Sequence, residues 1–204
     1  MPILMLKSKQ IAFPALAEPQ AIGDGEPAYG GKLVIDPKDA DVKLLDAAML
    51  QAAKEKWKED GESVFEMLKD EKKVCFVHGP YKSSKTGKPY AGFENKYHLG
   101  MRTPTNKPRP SVFDQYGKPL IAEGKFQPGV SKTDVEQTVY SGAVTNCKVE
   151  IWAQDNSFGR RINCSVLGVM YAGEGESFGG GSAPASASDF AGMAAQPADA
   201  EDCL

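Results

Sequence analysis

The sequence predicts a mainly β protein: an OB-type fold, meaning a five-stranded Greek-key barrel with extra hairpins, plus an inserted helical segment and a disordered acidic C-terminal tail. Three observations lead there. Short apolar runs bounded by Gly, Pro and Asp recur along residues 1–172, which is the pattern of many short strands. One stretch with helical spacing interrupts them. After Tyr171 the composition turns to Gly, Ser, Ala and Pro without β-branched residues, and such a segment cannot bury enough apolar surface to offset its ordering entropy. The expected division is a domain over 1–172 and a flexible acidic tail over 173–204. A barrel of this kind and a β-sandwich share the same strand signature, so strand counting leaves both open.

The elements follow in order. Leu4 to Phe13 alternates loosely and reads as a strand, with Pro14 and Pro19 expected to break it. Tyr29 to Asp36 is a second strand, with Leu33 and Ile35 on one face. Val42, Leu45, Met49, Ala52 and Ala53 recur at three- and four-residue steps, giving a helix after Pro37 that Asp39 or Asp41 can cap and Gly61 should end. A shorter helix, Ser63 to Leu68, buries Val64, Phe65 and Leu68. Both helices read as an amphipathic cover on the barrel.

From Lys73 the β pattern returns. Val74 to Val77 is a compact strand, and Phe93 to Met101 is another with Phe93, Asn95, Tyr97 and Leu99 on one side. Ser111 to Phe113 and Pro119 to Ile121 flank a turn at Gln115 to Lys118. Val144 to Trp152 sets Val144, Asn146, Lys148 and Glu150 against Cys147, Val149 and Ile151. Ile162 to Tyr171 is the last strand, and the turn around Asp155 to Gly159 makes these two a hairpin.

The net charge of −3 conceals an asymmetry. Residues 173–204 hold six acids and no Lys or Arg, so residues 1–172 carry 24 basic and 21 acidic side chains. A mildly basic body with a purely acidic end suggests a polyanion binder with its own anionic mimic. Residues 72–132 concentrate the signal, with twelve Lys or Arg, three acids and eight of the eighteen aromatic rings. Single-stranded nucleic acid requires cations for phosphates and π-faces for unstacked bases. Tyr81, Lys82, Lys85, Lys88, Tyr90, Phe93, Lys96, Tyr97, Arg102, Lys107, Arg109, Tyr116 and Lys118 are therefore the candidate contacts. Phe76 and Phe113 are assigned to the core. Tyr81, Tyr90 and Tyr116 stand out because they lie in polar, Gly/Pro-rich loops.

Other chemistries find no footing. Ser83 to Pro89 resembles the end of a phosphate-binding loop, but that loop requires Gly at 82 and Ser or Thr at 89, where this chain has Lys82 and Pro89. His78 and His98 are the only histidines, and neither sits in a nucleophile or zinc-protease motif. The acids of the basic region are isolated, so a two-metal nuclease lacks its cluster. The four cysteines, Cys75, Cys147, Cys164 and Cys203, form no C-x-x-C pair and read as structural thiols. No metal, no cofactor and no enzymatic activity are expected. No apolar run approaches the ~20 residues of a membrane span, so no membrane partner is expected either.

With these residues in view, the chain resembles a family of phage single-stranded DNA-binding proteins with an OB fold, and is distantly similar to the single-strand binders of T7-like phages. The matching segments are Pro110-Ser111-Val112-Phe113-Asp114 with Gly117-Lys118-Pro119-Leu120, then Tyr140-Ser141-Gly142-Ala143, then Val149 to Asn156, then Gly173-Glu174. Weaker echoes lie at Tyr29 to Ile35 and Phe93 to Met101. The resemblance implies sequence-independent binding of single-stranded DNA in phage replication or recombination, in the cytoplasm of the bacterial host, without cofactor. A homo-oligomer is compatible with it. Asp199, Glu201, Asp202, Cys203 and Leu204 form an acidic tip with an apolar end, resembling tips by which single-strand binders recruit replication or recombination proteins. The competing readings are a β-sandwich virion or assembly protein that binds no nucleic acid, and an RNA-binding OB protein.

Overall fold

Alternating apolar residues and tight turns place nine strands in one continuous sheet. The computed structural model describes residues 1–21 and 25–178. Nine strands form the order β3-β4-β2-β1-β8-β9-β5-β6-β7, where β1 is Ile3–Gln20, β2 Ala28–Ile35, β3 Phe76–Val77, β4 Tyr97–Pro104, β5 Ser111–Phe113, β6 Pro119–Ala122, β7 Lys125–Phe126, β8 Val144–Asn156 and β9 Gly159–Gly173. The five long strands β1, β2, β4, β8 and β9 make the barrel wall, and β5–β7 form an appended meander that joins β9 through a parallel β5 pairing.

Closure decides between barrel and sandwich. Ahead of β3, Val74 bridges Ile162 of β9, and the Ile162 amide donates to Lys73 O at 3.1 Å. Thr103 Oγ1 of β4 donates to Val166 O of β9 at 2.8 Å. The sheet thus curls until its β3–β4 end meets β9, which is the OB-like arrangement. Leu6, Ile11, Leu33, Leu99, Ile121, Val149, Ile151 and Val166 fill the interior at 0 % exposure.

Helix α1 (Asp41–Trp57) and helix α2 (Gly61–Asp70) cover the barrel with Leu45, Met49, Ala53, Val64, Phe65 and Leu68. Three details differ from the sequence expectation. Ala40, and neither Asp39 nor Asp41, occupies the N-cap position of α1; Asp39 contributes from one residue earlier, its Oδ1 accepting the Asp41 amide at 2.9 Å while its Oδ2 pairs with the buried Lys9. Gly61 opens α2 instead of ending α1, because a Cβ there would lie 2.6 Å from Lys54 Cα and only glycine lets the helices cross so closely. Helix α3 (Lys132–Thr138) was not anticipated, although Ser131 and Asp134 form the reciprocal capping box that marks a helix start.

Among the strands, β1 does not end at Pro14. It runs on to Gln20 through three register shifts, and at two of them Ser8 and Phe13 take φ of 53° and 51°. Such bulges let a strand bend and keep pairing with two neighbours. The Phe93 to Met101 strand begins only at Tyr97, and Phe93 sits in the preceding loop. The β8–β9 hairpin forms as expected. Cys75, Cys147 and Cys164 are buried, and burial pushes the Cys147 thiol up to about 12, which fits structural thiols. Cys203 and the acidic tip lie outside the described residues.

Candidate nucleic-acid groove

β2 and β4 carry glycines where a strand would ordinarily present side chains. Gly30 and Gly100 leave much of this face bare, and a groove of about 690 Å³ runs over it. One wall is aromatic. The Tyr81 and Tyr90 rings stack at 5.1 Å with 19° between planes, and Phe13 sets its edge against both, at 6.0 and 5.1 Å. The loop carrying the two tyrosines is held as a hairpin by the Lys82–Pro89 bridge and by the Tyr90 amide donating to Tyr81 O at 3.0 Å. Phe93 supports this wall from below. It is fully buried with Ala12 and Val34 and meets Tyr81 edge-on at 5.7 Å.

The opposite wall is the β8–β9 hairpin. Trp152 pairs with Asn163 and Gln154 with Arg161, so all four share the face that lines the groove. The Trp152 indole N–H donates to Ser165 Oγ at 3.0 Å, and Asn163 Nδ2 donates to Gln154 Oε1 at 3.1 Å. The far face of the hairpin is braced by α1. Trp57 Nε1 donates to Asp155 Oδ2 at 2.8 Å, and Arg160 Nε reaches the same oxygen at 3.2 Å.

Lys32 rises from the floor. Its ammonium stands 4.0 Å above the Tyr81 ring, and among the described residues no carboxylate lies within ion-pair distance of it. Burial holds its pKa below the ordinary lysine value. Burial also lowers the pKa of His98, with Lys32 adding to the effect, and its Nδ1–H donates to Gly79 O at 2.9 Å. A desolvated cation without a carboxylate has an unmet demand for an anion. Lys72, Lys73, Arg102 and Arg161 ring the same groove. Aromatic side chains about a cationic, glycine-rich floor offer stacking to bases and charge to a phosphate backbone.

The family described as "Enterobacter phage Enc34, ssDNA-binding protein" matches residues 3–204. The chain belongs to this family. Among solved structures, the single-stranded DNA-binding protein from bacteriophage Enc34 in complex with ssDNA superposes with a TM-score of 0.64 at 22 % identity, covering 87 % of this chain and 89 % of that one. Another structure of the Enc34 protein gives 0.63 at 21 % identity, over 92 % and 88 % of the two chains. A single-stranded DNA-binding protein encoded by bacteriophage T7 gives 0.50 at 14 % identity, over 98 % and 99 %. At these identities the likeness establishes the shared fold. No curated protein matches. The family is one of binding proteins, and the chain is not an enzyme.

Of the residues singled out from sequence, the structure brings Tyr81, Tyr90 and Arg102 to the groove, with Phe93 beneath them. Lys82, Lys85 and Lys88 are exposed on the tyrosine loop. The others lie elsewhere. Tyr97 stacks on His78 at 4.7 Å and packs against the main core. Lys96 is engaged by Asp36 at 2.6 Å. Arg109 is a structural clamp: its Nη2 donates to Leu16 O and Ala17 O, and its guanidinium lies 4.4 Å from the Phe126 ring and 5.3 Å from that of Tyr29. Lys107 stands in the turn after β4. Tyr116 and Lys118 occupy the β5–β6 turn, where Asp114 Oδ1 accepts from both their amides at 2.9 Å.

Sequence reasoning missed Phe13, Lys32, Trp152 and Arg161. Nothing in the sequence marks Phe13, because only the bulge turns it outward. Signals were present for Lys32 and Trp152. Gly30-Gly31-Lys32 inside a strand marks a place of close backbone approach. Trp152 continues the polar face of Asn146, Lys148 and Glu150, where a large aromatic is out of place.

Among the described residues no helix is long and apolar enough to cross a membrane.

Proposed function

We propose that this chain binds single-stranded DNA without sequence preference, laying bases between the Phe13–Tyr81–Tyr90 wall and Trp152, with phosphates toward Lys32, Arg102, Arg161 and the loop cations Lys82, Lys85 and Lys88. The observation that carries this is Lys32, a half-buried ammonium in a glycine-floored groove with no ion-pair partner among the described residues. Family membership and the DNA-bound Enc34 relative support it. Replication or recombination of phage DNA in the bacterial cytoplasm is the setting this implies. The acidic tip at Asp199, Glu201, Asp202, Cys203 and Leu204 is read as a recruiting segment for replication proteins, on its composition. Residues 1–172 serve as the binding domain and 173–204 as its appendage.

Titrating the protein with oligo-dT, oligo-U and duplex DNA while following tryptophan and tyrosine fluorescence tests this. Tight, salt-dependent quenching by oligo-dT and weak binding of duplex are expected. Preference for oligo-U would favour the RNA reading, and no binding at all would favour an assembly protein.

A further inference from the structure

The chain does not leave the body where β9 ends at Gly173. Residues 174–178 turn back along the loop after α3. The Gly175 amide donates to Tyr140 Oη at 3.0 Å, the Tyr140 hydroxyl donates to Gly175 O at 2.9 Å, and the Phe178 amide donates to Ser141 O at 3.0 Å. Gly142 makes room for this strap, since a Cβ there would collide with Glu176 O.

The strap ends on the support of the aromatic wall. The Phe178 ring lies directly over Gly92, where a Cβ would collide with it, and meets Phe93 at 6.3 Å. Phe93 in turn carries Tyr81, and Tyr81 carries Tyr90. A second route runs through the backbone. Ser141 accepts the Phe178 amide on its carbonyl, and its hydroxyl accepts the Phe13 amide at 3.3 Å. Both routes end on rings of the groove wall.

We infer that Phe178 is a positioning residue for the aromatic wall, and that the 174–178 strap sets the geometry in which Phe13, Tyr81 and Tyr90 stack on bases. The inference rests on the reading that this wall holds DNA. Phe178 touches no groove and bears no charge, so its loss removes neither a phosphate contact nor a stacking face. It releases Phe93 and the rings Phe93 carries, while the backbone route through Ser141 to Phe13 stays in place. Coupling of this kind is reciprocal, so occupancy of the groove stabilises the strap.

The test uses the full-length chain. Phe178→Ala is expected to weaken oligo-dT binding roughly two- to tenfold, the worth of one aromatic pair. The slope of log affinity against log salt should stay unchanged, and Phe178→Tyr should restore binding. Saturating oligo-dT should slow amide exchange at Gly175 and Phe178 in the wild type. Wild-type affinity in Phe178→Ala overturns the inference, as does a loss that Phe178→Tyr fails to restore or an exchange rate indifferent to DNA. Phe13→Ala/Tyr90→Ala is the control. If it leaves affinity intact, the wall itself has been misread; if it weakens binding while Phe178→Ala does not, the strap alone is wrong.

Discussion

Replacing Lys32 by methionine separates what this residue costs the fold from what it gives the ligand. The stem packs in the groove floor and methionine preserves most of that apolar volume. Burial lowers the Lys32 pKa, so in the folded protein the charged form is disfavoured relative to the unfolded chain. The sign follows from proton counting: the unfolded chain binds more protons between the two pKa values, so stability rises as pH climbs through the lowered pKa. At neutral pH the charge is a burden, and Lys32→Met should melt no lower than the wild type. Bound DNA reverses the balance. A charge-assisted contact to phosphate is worth about 1.5–3 kcal/mol, or roughly ten- to a hundredfold in Kd. One fewer neutralised phosphate should flatten the salt slope by about 0.7 on a single strand. Wild-type affinity should also decline in alkaline solution below the ordinary lysine range, and that decline should vanish in the variant. Fluorescence titrations with oligo-dT across salt and pH measure all three. A folded Lys32→Met with unchanged affinity and slope would refute the assignment of Lys32 to phosphate.

Other expectations concern the walls and the frame. Phe13→Ala/Tyr90→Ala removes two exposed rings and should weaken oligo-dT binding about tenfold or more, at roughly 1–3 kcal/mol per stacked base, with the salt slope retained. Arg109→Lys should lower the melting temperature and leave the salt slope alone, because the guanidinium holds Leu16 O and Ala17 O and not the strand. Burial tends to raise the Asp39 pKa, but hydrogen bonds from Lys9 and the Asp41 amide outweigh it and hold the carboxyl below its usual value. That contribution is full above the unfolded carboxylate range and is lost as pH falls through the lowered pKa, so acid unfolding of Asp39→Asn should be less steep than that of the wild type.

Much of the architecture was legible because it depends on local pattern. The β8–β9 hairpin, the two covering helices and the β5–β6 turn follow from periodicity and turn residues. The passage of β1 through Pro14 did not, because the positive-φ bulge at Phe13 lets the strand keep its pairing with β2 past a residue that ordinarily stops one. The site was legible as a region and not as a surface. Charge and aromatic counts favoured residues 72–132, which supplied Tyr81, Tyr90 and their loop lysines. Yet the groove is completed by β1, β2, β8 and β9, brought together only when the sheet curls. Counting cations also cannot tell Lys32, which has no carboxylate partner among the described residues, from Lys96, which Asp36 occupies.

The structure of this protein with a short oligo-dT bound would show whether the strand occupies the groove over β2 and β4. Bases should stack along Phe13, Tyr81 and Tyr90 and across from Trp152, with a phosphate within hydrogen-bond reach of Lys32 Nζ. A strand lying instead along the β5–β6 turn, on Tyr116 and Lys118, would contradict this placement.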